Sequence, residues 1–208
     1  MNYLRWWLYI ILILLSGCAA TVPAIPEQSD GARAETLPQS AQELITNNNH
    51  VERPGFSAQL PSGIVWQEKL SKRETLHFWE GKGPNKDEIH TLVIDLNPTP
   101  ISSESRQQFM DRITAFHSAV VEVFVESTNA QLISNKFKPA QKKEEWCIEY
   151  ETLYGPHRRL LVIGYYCRHP DDKEVVIKMS YSRSFYPGDE DPGFRNKAIK
   201  FLESVKLM

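Results

Sequence analysis

Cys147-Ile148-Glu149-Tyr150-Glu151-Thr152-Leu153-Tyr154, then Gly155-Pro156-His157, then Leu160-Leu161-Val162-Ile163-Gly164-Tyr165-Tyr166-Cys167 is the stretch whose reading decides the fold. Two runs of aromatic and branched residues flank a Gly-Pro turn signal, a pattern that predicts an antiparallel hairpin of strands over 145–154 and 160–168. If Cys147 faces Cys167, the register pairs Ile148 with Tyr166, Tyr150 with Gly164, Thr152 with Val162 and Tyr154 with Leu160. A mostly apolar face then meets an apolar face, so one register serves both a disulfide and a core. The alternative is two buried free thiols on strands in another register. A bridge closing a loop of about 20 residues contributes about 3 kcal/mol in the chain-entropy picture.

Working outward, residues 175–182 alternate, with Val175, Ile177, Met179 and Tyr181 on one face. Upstream, 56–60, 64–70, 75–79, 89–96 and 132–137 read as strands bounded by Pro61, Gly63, Gly81, Gly83, Pro84, Pro98 and Pro100. Between them, Phe109, Ile113, Phe116, Val120 and Phe124 recur at spacings of three and four. That predicts a helix over 103–126 with Met110 and Val121 flanking the stripe. A second helix follows Asp191 as N-cap and Pro192 at the first helical position, with Phe194, Ala198, Phe201, Leu202 and Val205 on its apolar side. Strands joined by short loops imply an antiparallel sheet. The expected fold is therefore α+β, about six to eight strands covered by a long central helix and a C-terminal helix.

The N-terminus reads as an address. Arg5 precedes the apolar run of residues 8–15, which is too short for a bilayer core of about 30 Å and has the form of a secretory leader. Tyr3, Trp6, Trp7 and Tyr9 make that leader unusually aromatic. Leu15-Ser16-Gly17-Cys18 resembles the lipobox of bacterial lipoproteins. The resemblance implies cleavage before Cys18 and acyl chains on its thiol. Two or more chains hold a protein firmly on a membrane, each buried methylene adding about 0.8 kcal/mol. By the same resemblance, Ala19 in place of Asp favours the outer membrane, with the domain facing the periplasm. Residues 1–17 are then a signal peptide and 18–53 a lipidated N-terminus and polar, Pro-bearing tether. A coil of that length spans roughly 33 Å. Residues 54–208 form a single domain.

Removing Arg5 with the leader leaves 23 basic against 26 acidic side chains, a net charge of −3. That balance lacks the basic surface a nucleic-acid partner requires. Hydrophobic residues at 41%, with 11% aromatic, supply ample core material. Cys147 and Cys167 are the cysteines left after Cys18, and an even pair in an oxidising compartment reads as a disulfide. No Cys-x-x-Cys signals redox catalysis or a thiolate metal site.

The order strands, helix, strands, helix, the opening Phe56-Ser57-Ala58-Gln59-Leu60-Pro61 and the ending Phe201-Leu202-Glu203-Ser204-Val205 resemble the PsbP-like fold. This resemblance spans roughly 54–208. It implies an antiparallel sheet between helices and a role in binding or assembling other proteins.

No catalytic motif of the common kinds is present, neither Gly-x-Ser-x-Gly, His-Glu-x-x-His nor a phosphate-binding Gly loop. His90 and Asp95 have opposite parity on one strand and so face opposite sides. His77 shares a face with Trp79 and Thr75. His157 sits in a turn, His169 precedes Pro170, and His117 lies on or beside the helix stripe; each reads first as structural. Asp189, Glu190 and Asp191 are better explained as helix-start acids than as a calcium site, which needs six to eight oxygens. Lys136, Lys138, Lys142 and Lys143, followed by Glu144 and Glu145, read as a solvated connector, with an anionic lipid or partner contact as the alternative. No metal or cofactor is signalled. Trp66, Trp79 and Trp146 belong to strands and are expected in the core with Tyr181. Phe185 and Tyr186, beside the Pro187-Gly188 loop, mark a contact surface if exposed. The first functional expectation is thus a non-enzymatic envelope lipoprotein that binds an envelope protein. A module binding a small ligand or lipid between sheet and long helix comes second, and a hydrolase with scattered residues third.

Overall fold

The computed structural model describes residues 44–45, 49–85, 87–98, 104–140 and 146–208. The leader, the lipobox Leu15-Ser16-Gly17-Cys18 and Lys142 and Lys143 lie outside the described residues. In chain order the elements are β1 (Leu44–Ile45), β2 (His50–Arg53), β3 (Phe56–Gln59), β4 (Trp66–Lys69), β5 (Leu76–Lys82), β6 (Ile89–Pro98), α1 (Arg106–Thr128), β7 (Leu132–Pro139), β8 (Cys147–Tyr154), β9 (Arg159–Arg168), β10 (Val175–Phe185), α2 (Phe194–Ser204) and β11 (Lys206–Leu207). Eight strands form one sheet in the order β1-β4-β5-β6-β10-β9-β8-β7, and a second sheet has the order β11-β3-β2. Every strand pair is antiparallel.

The expected hairpin forms in the expected register. Cys147 pairs with Cys167, Ile148 with Tyr166, Tyr150 with Gly164, Thr152 with Val162 and Tyr154 with Leu160. Cys147 and Cys167 are joined by a disulfide, their Cα atoms 4.2 Å apart. That separation suits a non-hydrogen-bonded pair, the narrower of the two antiparallel pairings, and the ladder bond next to it runs from Arg168 N–H to the Trp146 carbonyl.

Both faces of the large sheet are covered. On one face Leu92, Ile94, Ile177, Met179, Tyr181, Ile163 and Tyr165 pack with α2 and the small sheet, through Phe194, Ala198, Phe201, Leu202, Phe56 and Ala58. On the other, α1 lays Phe109 and Ile113 against Ile148, Tyr150, Tyr166 and Val176. Its last turns set Val121 and Phe124 against Tyr154. The layers are α1, then the large sheet, then α2 beside the small sheet. A strand buried on both sides needs apolar residues of both parities, and β8 and β9 have them.

Three local differences from the sequence reading have physical causes. First, α1 starts at a capping box: Ser105 Oγ accepts from Gln108 N–H and Gln108 Oε1 accepts from Ser105 N–H. The buried line of the helix is Phe109, Ile113, His117, Val121 and Phe124, while Phe116 is 46% exposed. His117 turns inward because two hydroxyls of the sheet satisfy its ring. Second, α2 begins at Phe194 with Gly193 as its cap, which gives no side-chain cap bond. Asp191 instead closes the preceding turn, accepting from Gly193 N–H at 2.8 Å and pairing with Lys197 at 2.8 Å. Third, β1 and β2 lie within 18–53, the stretch read as tether. β1 has two residues and β2 is His-Val-Glu-Arg with one buried side chain, Val51, so neither shows in the pattern; pairing with β4 and β3 defines them.

Candidate binding cleft

The register across β5, β6, β10, β9 and β8 sets side chains in rows on the α1 face. One row is Leu76, Asp95, Lys178, Tyr166, Ile148; the next is Phe78, Val93, Ser180, Gly164, Tyr150. In the third, Thr91, Ser182, Val162 and Thr152 follow Glu80. The middle of this floor is therefore small. Ser180 and Ser182 stand on the central strand, Gly164 beside them, while large residues stand at either side. Gly164 has to stay small, because a Cβ there would lie 2.4 Å from the Tyr150 ring and 2.6 Å from the Met179 carbonyl.

A cavity results between this sunken floor and α1. Measured to the centres of water-sized spheres it holds about 100 Å³, and it is partly open to solvent. One water needs about 10–15 Å³ on that measure, so the space takes several atoms. Val120, Val121 and Phe124 roof it, Leu76, Phe78 and Val93 wall it on one side, and Tyr154, Leu160 and Val162 wall it on the other. Its surface is predominantly apolar, with polar groups gathered on the floor.

Asp95, Lys178 and His117 supply the carboxyl, amine and imidazole groups of the cleft. Asp95 is buried, and Arg73 Nη2 donates to its Oδ1 at 2.8 Å. Burial pushes its carboxyl above the usual range, with Arg73 opposing. Lys178 is partly buried, and burial lowers its ammonium while Asp95 raises it. His117 receives contacts at both nitrogens: Nδ1 to Tyr166 Oη at 3.1 Å and Nε2 to Thr152 Oγ1 at 3.2 Å. Thr152 Oγ1 donates to Asn135 Oδ1 at 2.9 Å, so it must accept from His117 Nε2–H, and His117 Nδ1 accepts from Tyr166. Burial pushes the imidazole down to about 3, leaving it neutral at pH 7.

A second polar cluster lies on the opposite face and is closed. Glu88 Oε1 accepts from Arg183 Nε at 2.6 Å and contacts His90 Nε2 at 2.7 Å, while Tyr181 Oη meets His90 Nδ1 at 2.8 Å. Carboxylate on one side and hydroxyl on the other make Nε2 the protonated nitrogen, with Tyr181 donating to Nδ1. Glu88, His90, Tyr181 and Arg183 are all buried, and Arg183 also ties down the Asp189 carbonyl at 2.6 Å. With its groups bonded to one another, the cluster is a strut under the 186–191 loop rather than a reaction centre.

His90 and Asp95 do face opposite sides of the sheet, His90 toward Phe194 and Asp95 into the cleft. His77 stacks on Trp79 and meets Phe56 edge-on, His157 is exposed in its turn, and His169 Nδ1 accepts from Asp171 and Asp172 N–H. The three acids do not converge. Glu190 pairs with Arg159, Asp191 with Lys197, and among the described residues no group of three His, Cys, Asp or Glu is placed to hold a metal ion. Lys136 and Lys138 lie beside Glu151 and Glu149, which Arg195 also binds. Trp66 and Trp79 are buried, and Trp146 lies under Arg168 at 4.7 Å. Phe185 is buried at 5% exposure beneath Arg183, so the exposure that would make it a contact residue is met only at Tyr186, at 42%. Lys178, Ser180 and Ser182 escaped the sequence reading. The signal was there: a polar alternate face on a strand whose sheet is covered on both sides.

Fold and cleft together define an α+β domain with an internal, partly open apolar pocket beneath its long helix. No family model matches the chain, and no curated protein matches it. Among solved structures it is similar to a point mutant of the protein Mog1, at 11% identity and TM-score 0.46 over 78% of this chain and 96% of that one. It is also similar to the cyanobacterial PsbP (CyanoP) of Synechocystis sp. PCC 6803, at 12% identity and TM-score 0.45 over 84% and 98%. A third is the Ran-binding protein Mog1p of Saccharomyces cerevisiae, at 12% identity and TM-score 0.44 over 77% and 95%. Likeness at this level assigns no activity or partner to this chain.

Proposed function

We propose that this chain is a lipid-anchored envelope lipoprotein whose α+β domain is a non-enzymatic binding module, taking an apolar ligand into the cleft between α1 and the sheet. The observation that carries the reading is the cavity itself, roofed by Val120, Val121 and Phe124 over the small residues Ser180 and Ser182. A sheet face covered by a helix ordinarily packs without such a void, and concave, mostly apolar sites with a few polar groups are what small ligands occupy. The anchor is supported by the leader and the lipobox ending at Cys18. Native mass spectrometry of the protein taken from envelopes should show a retained small molecule that Ser180→Phe removes; protein that never carries one speaks against the reading. Labelled palmitate should enter the wild type and not Cys18→Ala, and equal labelling of both would remove the anchor from the proposal.

A protein partner is the second reading, favoured by one feature. Phe116, Val123, Leu132 and Ile133 are exposed at 46, 49, 40 and 45%, and Leu132 and Ile133 lie on β7, an edge strand of the large sheet. Exposed apolar side chains on an open edge suit strand-edge association. Crosslinking in intact envelopes should trap one reproducible partner that Ile133→Lys loses. An unchanged adduct pattern in that variant would place the contact elsewhere.

A further inference from the structure

The cleft is unevenly charged. Asp95 is its one carboxylate, and Arg73 already bonds it at 2.8 Å, with Asn97 Nδ2 at 3.4 Å from its other oxygen. Lys178 is the cross-strand partner of Asp95, so two cations serve a single carboxylate. Among the described residues Lys178 makes no hydrogen bond, and its ammonium has only that shared counter-charge. His117, held neutral between two hydroxyls, adds none. Beyond this polar row the cavity runs on between apolar walls, with Ser180 and Ser182 on its floor. A partly buried cation with no close ion pair of its own, at one end of an apolar space, suits a monoanion with an apolar body, because in low dielectric such a pair is stronger than in water.

We propose that the cleft binds a single-chain amphiphile carrying a carboxylate, such as a fatty acid, with its head on Lys178 and its chain between α1 and β5–β6. The assignment rests on the ligand-binding reading above and names the class of ligand. Lys178 is the specificity determinant; Ser180 and Ser182 make room for the chain. A neutral lipid would fill the same walls and leave Lys178 as it stands, so charge separates the two occupants.

The test uses the full chain held in nanodiscs, with empty nanodiscs giving the partition background, titrated calorimetrically with octanoate and with octan-1-ol. Octanoate should bind at least tenfold more tightly than octanol to the wild type. Lys178→Met should remove that preference while changing octanol binding less than twofold, and Ser180→Phe, checked for folding by near-UV circular dichroism, should abolish both. Equal binding of the two probes to the wild type overturns the carboxylate assignment and leaves the ligand-binding reading standing. A preference that survives in Lys178→Met overturns the placement of the carboxylate on Lys178. Failure of the wild type to bind either probe, or full binding by a folded Ser180→Phe variant, overturns both. The wild-type comparison of probes decides the assignment even if neither variant folds.

Discussion

Asp95 and Lys178 stand directly opposite each other on β6 and β10, one row away from Val93 and Ser180, on the face that α1 covers. The pair is asymmetric, because Arg73 also holds Asp95 and nothing comparable holds Lys178. Removing one partner of a buried ionic group costs more than the group contributes, since the other is left uncompensated. Asp95→Asn should therefore destabilise the domain by about 2 kcal/mol, reduced from the fully buried case because Arg73 is partly exposed. Lys178→Met should cost under about 1 kcal/mol, its loss leaving the Arg73 pair intact. Urea unfolding of both variants checks the order. Equal losses would mean that Lys178, not Arg73, is the main partner of Asp95.

His117 should govern part of the acid sensitivity. Its pKa is about 3 in the fold and 6.5 in the unfolded chain, so the unfolded state takes up a proton first as pH falls. The stability that the neutral ring brings is fully present above about pH 6.5 and is lost progressively toward pH 3. Glu68, lowered to about 2 with His77 and Arg53 as hydrogen-bond partners against the opposing effect of burial, adds a loss in the same direction, but only below its unfolded value of 4.5. In the window from pH 6.5 to 4.5 the loss comes from buried histidines, His117 and also His90, which burial lowers, while Asp95, raised by burial, works in the opposite direction as it protonates in the fold. Stability measured across that window should fall by on the order of 2 kcal/mol, and His117→Gln should flatten the slope. A slope unchanged in His117→Gln would sink the assignment.

Glu88 and Arg183 form an ion pair in which both partners are buried, each below 5% exposed. Arg183→Met leaves the Glu88 carboxylate without its guanidinium and should cost about 3 kcal/mol or more. Adding Glu88→Gln to that variant should recover part of the loss, since neither remaining group is then charged. A double-mutant cycle measures the coupling, and additive losses would show that the two are energetically independent.

The Cys147–Cys167 bridge closes a loop 20 residues apart in sequence. Replacing both cysteines by alanine should lower stability by about 3 kcal/mol. The register itself should survive, because the facing pairs Ile148–Tyr166 and Tyr150–Gly164 are set by the core as well. Hydrogen exchange on β8 and β9 tests this: protection lost only in proportion to the global change supports it, and selective loss from the hairpin contradicts it.

The hairpin register, the disulfide and the α+β class were legible in the order of residues alone, because each rests on short-range spacing: alternation at period two and apolar stripes at three and four. Even the separation of His90 from Asp95 follows from parity. What the residues could not tell was which helix covers which face of the sheet. That choice turned His117 inward and left Phe116 outside, buried Phe185 under Arg183, and made a roofed cavity of Lys178, Ser180 and Ser182, whose alternation by itself reads as a solvated face. A strand's pattern records which side chains point the same way; whether that side meets water or another layer depends on elements far along the chain, here α1 brought over β10 from more than 45 residues upstream. The cleft is therefore a product of packing between distant segments, and only the tertiary structure decided it.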